Sequence, residues 1–400
     1  MREAIIVDAT RTPVGKYGGA LKDARPDDLA AHCLAALIQR NNLDPNLIED
    51  VLLGCANQAG EDNRNVARMA VLLAGLPIEV AGQTINRLCG SGLNAVASAA
   101  QAIKAGEGDV FIAGGVESMT RAPFVMAKAA SAFARDVNVF DTTLGWRFVN
   151  PKMAELYPPL AMGETAECVA EKYEPTRAEQ DAFALASHEK WNAAQVAGKF
   201  INELAPVSIP PVGKKGDPII FDKDEQPRPD SSLEQLAALQ PVFKKNGTVT
   251  AGNSSSINDG AAALLVMEAK TAARLGMKPL ARIVTSAVAG VHPSYMGLGP
   301  IPATQKALQR ANLKIEEIDL IELNEAFAAQ AIPCMRELGM DPARVNVNGG
   351  AIAIGHPLGS TGARLLTTLV HEMQRRDARR GLVTMCIGVG QGIALIVEKV

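Results

Sequence analysis

Aromatic residues make up only 4% of this 400-residue chain, too few for the stacking platform that single-stranded nucleic acids use. Basic runs are missing as well. The 40 lysines and arginines nearly balance 43 aspartates and glutamates, leaving a formal net charge of -3 that marks no nucleic-acid partner. No window approaches the roughly 20 apolar residues that span a bilayer. The apolar start at residues 4–7 turns acidic at Asp8 and is too short for a secretory leader. Cys33, Cys55, Cys89, Cys168, Cys334 and Cys386 form no Cys-x-x-Cys pair, which argues against a metal site and against a disulfide framework. What these absences leave is a cytoplasmic protein with reduced thiols, free of nucleic acid and membrane.

What is present is a large apolar content, 48%, and an internal repeat. Leu43-Asp44-Pro45-Asn46-Leu47-Ile48-Glu49-Asp50-Val51-Leu52-Leu53-Gly54 is echoed by Leu313-Lys314-Ile315-Glu316-Glu317-Ile318-Asp319-Leu320-Ile321-Glu322-Leu323-Asn324, each a short acidic turn feeding an apolar strand. Further on, Cys89-Gly90-Ser91-Gly92 opens an alanine-rich helix that ends near Gly106, before the strand Val110 to Ala113. Gly359-Ser360-Thr361-Gly362 opens a second helix with Leu365, Leu366, Leu369, Val370 and Met373 at helical spacing, before the strand Leu382 to Cys386. Two copies of one α/β unit follow, with mostly parallel sheets covered on both faces.

Between the copies, strand signals thin while proline, methionine and charge increase. The expected division is a first half from residues 1–117 and 251–270, an inserted loop domain over 118–250, and a second half over 271–400. One helix stands out in the insertion, from Thr176 to about Ala197, opened by a capping box of Thr176 and Glu179. Prolines from Pro206 to Pro229 punctuate a long irregular stretch of the kind that makes binding loops. Asn258-Asp259-Gly260 reads as a tight turn before the strand Ala261 to Met267, which returns to complete the first copy.

Four glycine-bounded spots carry chemistry. Cys89 stands at a helix start, where the dipole and backbone N–H groups favour a thiolate, although a lone cysteine is more often a packing residue. His356, in Gly355-His356-Pro357, holds the equivalent place in the second copy; a two-fold-like arrangement of the copies brings the helix starts together as a Cys–His pair. Cys386 ends an apolar strand and enters Gly388-Val389-Gly390, offering a second thiol and a Gly388 N–H for an oxyanion. Asn324, in Glu322-Leu323-Asn324-Glu325-Ala326-Phe327, either holds a water or caps a helix.

These stretches resemble the thiolase family, and the resemblance covers essentially the whole chain. Thr250-Ala251-Gly252-Asn253-Ser254-Ser255, followed by Asn258-Asp259-Gly260-Ala261-Ala262, is a fifth matching signature. The resemblance implies an internally duplicated, layered α-β-α-β-α fold with mostly parallel five-stranded sheets and an inserted loop domain. It implies an acetyl-CoA C-acyltransferase, with Cys89 carrying the acyl group, His356 activating it, Cys386 moving the α-proton, and Asn324 and Gly388 serving the oxyanions. Coenzyme A and acetyl-CoA are then substrates, with no bound cofactor. Ser255 and Ala251 are expected at the pantetheine arm, Arg228 at the nucleotide end, and Met162, Met296, Ala326 and Phe327 along the channel. Family members associate as homodimers or dimers of dimers.

Thiolases specialised for acetoacetyl-CoA often carry histidine directly before the methionine that matches Met162; this chain has Ala161. That difference leans towards a degradative enzyme of β-oxidation type, cleaving 3-oxoacyl-CoAs of several lengths. The run Asp141 to Asn150, however, resembles bacterial 3-oxoadipyl-CoA thiolases, with Arg147 as a partner for a substrate carboxylate. Two rivals remain: a 3-oxoacyl synthase, which has no use for Cys386, and a silent acyl-CoA binding protein on the same fold.

Overall fold

The computed structural model describes residues 2–210 and 217–400. In chain order the first part contains β1 (Ala4–Arg11), β2 (Gly15–Lys16), α1 (Pro26–Asn41), β3 (Asp50–Gly54), α2 (Val66–Leu73), β4 (Ala81–Ile85), α3 (Ser91–Ala105) and β5 (Val110–Ser118). There follow β6 (Phe124–Met126), β7 (Val139–Asp141), α4 (Pro151–Leu156), α5 (Met162–Tyr173), α6 (Arg177–Val196), β8 (Val207–Ile209), β9 (Ile219–Phe221) and α7 (Leu233–Ala237). The chain continues through β10 (Asn258–Glu268), α8 (Ala269–Arg274), β11 (Ala281–Gly290), α9 (Pro300–Ala311), β12 (Leu320–Leu323) and α10 (Ala328–Leu338). It ends with α11 (Ala351–Ile354), α12 (Leu358–Arg376), β13 (Arg380–Ile387) and β14 (Gln391–Glu398).

The duplication is visible in the strand order. The first copy runs β1-β10-β5-β3-β4; the second runs β11-β14-β13-β12, with the position next to β12 held by a single parallel bridge from Ile321 to Val345. In the first copy β1, β3, β4 and β5 share one direction, and β10 slots between β1 and β5 antiparallel to both. In the second, β14 plays the same part between β11 and β13. The copies then join into one sheet where Ile5 and Ile6 pair with Arg282 and Ala281, a continuity that no strand pattern announces.

Alternation along the strands builds the layers. Leu264 and Val266 face a central layer that also takes Val96 and Ile103 of α3 and Leu366 and Val370 of α12, while Leu265 and Met267 face Leu34, Leu37 and Val71 on α1 and α2. In the second copy Leu395 points to that same central layer, and Ile396 to Ala307, Cys334 and Leu338 on α9 and α10. The result is helix, sheet, helix, sheet, helix, as expected.

Glycine permits the two central helices to cross at their N-terminal ends. A Cβ on Gly92 would lie 2.6 Å from the Gly359 carbonyl oxygen, one on Gly362 2.6 Å from the Leu93 backbone nitrogen, and one on Gly115 2.0 Å from that same Gly359 oxygen. The obstacle at Gly115 is backbone, which has little room to move. A Gly115→Ala variant is expected to lose about 1–3 kcal/mol of stability by overpacking, read as a lower urea midpoint; an unchanged midpoint would contradict this close approach.

Two local expectations need correcting. Asn258-Asp259-Gly260 is not a turn but the first part of β10, because both polar side chains are consumed there: Asn258 Oδ1 accepts the His356 N–H at 3.0 Å and Asp259 Oδ1 the Thr120 N–H at 2.9 Å. The insertion is also less irregular than its composition suggests, since β6 pairs with β7 and β8 with β9. The Thr176 capping box and α6 stand as expected, with the Glu179 carboxylate accepting the Thr176 N–H at 2.7 Å. Among the described residues, no helix is long and apolar enough to cross a membrane.

Candidate active site

Cys89 lies two residues before α3 and His356 two residues before α12, so the crossing of those helices presents both side chains at one end of the central layer. The Cys89 turn is stapled by Ser91, whose hydroxyl donates to the Leu88 carbonyl at 2.6 Å and accepts the Arg87 N–H at 2.8 Å. The Gly388 N–H points at the Cys89 sulfur, yet burial outweighs it, with Glu117 adding to the effect, and pushes the thiol up to about 11. The helix start was expected to favour a thiolate; desolvation wins instead, and Cys89 needs a base to ionise it at neutral pH.

His356 was expected to be that base. Its Nδ1 lies 2.7 Å from Thr361 Oγ1, and the Thr361 hydroxyl donates its one proton to the Pro357 carbonyl at 2.8 Å. Nδ1 must therefore be the N–H, which leaves Nε2 with a free lone pair. Burial, then the charge of Arg364, lowers the imidazole pKa to about 3, so the resting ring is neutral. Asn324 Nδ2 sits 3.4 Å from Nε2, and Asn324 Oδ1 has no partner among the described residues. Asn324 is not a helix cap: Phe327 caps α10.

Cys386 lies near the end of β13, 1% exposed. Burial first, then the charge of neighbouring Cys89, push its thiol well above the ordinary range. Around it Met162, Met296, Ala326 and Phe327 form one apolar cluster, and the Ser255 N–H donates to the Ala326 carbonyl at 2.9 Å. Arg228 and Ala251, by contrast, stand exposed outside the cavity around Cys89. The Arg228 backbone N–H donates to His188 Nδ1 at 3.2 Å.

That cavity encloses about 380 Å³ and takes Cys89, Leu88, Met162, Gly388 and Val389 into its wall. Arg147, half-buried, is the one lysine or arginine lining it among the described residues. Among the described residues no ion pair involves Arg147. The other charged lining group, Glu117, is already committed: its carboxylate accepts the N–H groups of Ala56 at 2.9 Å, Asn57 at 3.0 Å and Gly359 at 2.8 Å. It ties the segment that follows β3 to the first turn of α12, three residues beyond His356. Sequence reading gave no role to Glu117 or Thr361 and took Asn258 for a turn residue. The signal for Glu117 was an acid at the end of an otherwise apolar strand; a threonine in a glycine-rich helix start gives none.

Comparison with known proteins places this arrangement. The thiolase N-terminal domain model matches residues 4–270, and the thiolase C-terminal domain model residues 277–399. A 3-oxoadipyl-CoA/3-oxo-5,6-dehydrosuberyl-CoA thiolase of Escherichia coli strain K12 is 59% identical over 403 residues, covering 100% of both chains. A beta-ketoadipyl-CoA thiolase of Pseudomonas aeruginosa is 56% identical over 402 residues, and an acetyl-CoA acetyltransferase of the same species 48% over 399, each covering 100% of both chains. The crystal structure of the Bacillus anthracis acetyl-CoA acetyltransferase superimposes with a TM-score of 0.93 at 41% identity, covering 100% of this chain and 99% of that one.

Proposed function

The chain belongs to the thiolase family and catalyses CoA-dependent acyl transfer, and from that premise we propose that its substrate is 3-oxoadipyl-CoA, cleaved with free CoA to acetyl-CoA and succinyl-CoA. His356 Nε2 takes the Cys89 proton, and the thiolate attacks the 3-oxo carbonyl. The bond between C2 and C3 breaks, acetyl-CoA leaves as an enolate, and Cys386 protonates it, regaining its own proton from the His356 imidazolium. Free CoA, deprotonated by His356, then attacks the acyl-Cys89 thioester and releases the shortened acyl-CoA. One oxyanion rests on the N–H groups of Cys89 and Gly388, the other on His356 with a water held by Asn324. Ser255, Ala251 and Arg228 would follow the CoA outward from the channel of Met162, Met296, Ala326 and Phe327.

The observation that carries the substrate is Arg147. A guanidinium without a carboxylate partner among the described residues, in a largely apolar cavity that contains the nucleophile, fits an acyl chain with a carboxylate at its far end. The names of the most similar relatives point the same way. The earlier leaning towards fatty 3-oxoacyl-CoAs of several lengths, drawn from Ala161, gives way to this reading. Ala161 caps α5 at the cavity wall and says only that a histidine is missing there.

Replacing Arg147 with methionine keeps most of the side-chain length and removes the charge. The expected result is a fall of about 10–100-fold in kcat/KM for 3-oxoadipyl-CoA, the scale of a lost charged hydrogen bond, with acetoacetyl-CoA cleavage nearly unchanged. Equal losses on both substrates would remove the dicarboxylate reading.

A further inference from the structure

Among the described residues eleven that are not glycine have positive φ. Five are asparagine or aspartate, which tolerate the left-handed region: Asn42, Asn246, Asn312, Asn346 and Asp377. Of the remainder, only Leu88 (φ +47°) and Val389 (φ +63°) carry aliphatic side chains, and Val389 is the one β-branched residue of the set. For a β-branched side chain this conformation is a true outlier.

These two strained residues come from opposite copies of the fold, yet both line the Cys89 cavity. Leu88 directly precedes the nucleophile. Val389 sits between Gly388 and Gly390 in the loop that joins β13 to β14, where Ile387 pairs with Gln391. Leu88 approaches the oxyanion donor that directly precedes Val389: a Cβ built on Gly388 would lie 3.2 Å from Leu88 Cδ1 and 3.5 Å from Met162 Sδ. Neither turn requires a side chain. Glycine would adopt either backbone without cost, as Gly390 does at φ +80° next door. The strain is therefore bound up with what the side chains do, and what they do is wall the space beside the reacting sulfur.

We propose that Leu88 and Val389 form a gauge that sets the width of the acyl cavity where the chain leaves Cys89, admitting an unbranched acyl chain and rejecting one branched at the carbon beside the 3-oxo carbonyl. The inference rests on the thiolase reading above and adds to it a selection by shape, separate from the charge selection at Arg147. On this proposal the first acyl carbon beyond the thioester passes Leu88 and Val389, two walls of the cavity that also holds Arg147, and a methyl group on that carbon meets their side chains.

The test compares 3-oxoadipyl-CoA with its 4-methyl derivative in the full-length parent, Val389→Gly and Val389→Ala. The parent is expected to prefer the unbranched substrate by about 10–200-fold in kcat/KM, the range that one misplaced methyl commands in an apolar pocket. Val389→Gly removes both side chain and strain, so the preference falls at least about tenfold while Tm rises. Val389→Ala shortens the side chain but keeps the left-handed strain, so the preference falls without a rise in Tm. A preference that stays at the parental value in both variants overturns the gauge. So does a Val389→Gly variant that melts lower and loses both substrates in parallel, since that is the signature of a purely structural residue. A parent enzyme that cleaves neither compound, nor acetoacetyl-CoA, overturns the thiolase reading itself and the gauge with it.

Discussion

A Cys89→Ala variant is expected to lose at least about 10⁴-fold in kcat for thiolysis, the scale on which an enzyme loses its nucleophile. The loss should fall on both halves of the reaction. Without sulfur there is no acyl carrier, so neither cleavage of the 3-oxoacyl-CoA nor exchange of an acyl group between acyl-CoA and labelled CoA proceeds. Folding should be spared, because Cys89 is half-buried and the turn that holds it is made by Ser91, Leu88 and Gly90. KM is a poor guide here; kcat and the exchange rate are the readouts. Exchange that survives in Cys89→Ala would mean that another group carries the acyl chain, and the Cys89 assignment would fall.

Cys386→Ala is expected to act on one half only. The carbon–carbon step should slow by about 10²–10⁴-fold, as for loss of a general acid or base, because nothing then protonates the departing enolate or removes the α-proton of acetyl-CoA in reverse. Acyl exchange needs neither event and should stay within a few-fold of the parent. The same variant should lose exchange of the acetyl-CoA α-hydrogens with deuterated solvent. Parallel loss of exchange and cleavage would contradict the division of labour, and would place Cys386 among the residues that merely pack the apolar cluster with Met296 and Phe327.

Cys89, His356 and Cys386 stood out in the sequence as candidates because each sits in a glycine-bounded stretch, and the repeat gave the first two a reason to meet. The structure supplies that reason physically: α3 and α12 cross where Gly92, Gly359 and Gly362 leave no room for a side chain. The layers were legible for a similar cause, since strands such as Ala261 to Met267 must bury both faces. What could not be read were long-range polar contacts. Nothing local ties Asn258 to the His356 backbone or Glu117 to Gly359, so the first was taken for a turn and the second passed unnoticed. The ionisation state of Cys89 was misjudged for a related reason: a helix start is visible in a sequence, while the burial that overrides it is a property of the whole fold. The positive φ of Leu88 and Val389 is hidden from sequence for the same reason, as neither is a residue that advertises a left-handed turn.

The most direct measurement of the central claim is peptide mass spectrometry of enzyme mixed with 3-oxoadipyl-CoA and no free CoA, quenched in acid. The expected result is a succinyl group on the peptide that contains Cys89, removed when CoA is added before the quench. A bare Cys89 with acetyl-CoA already formed, or a succinyl group on a different residue, would contradict it.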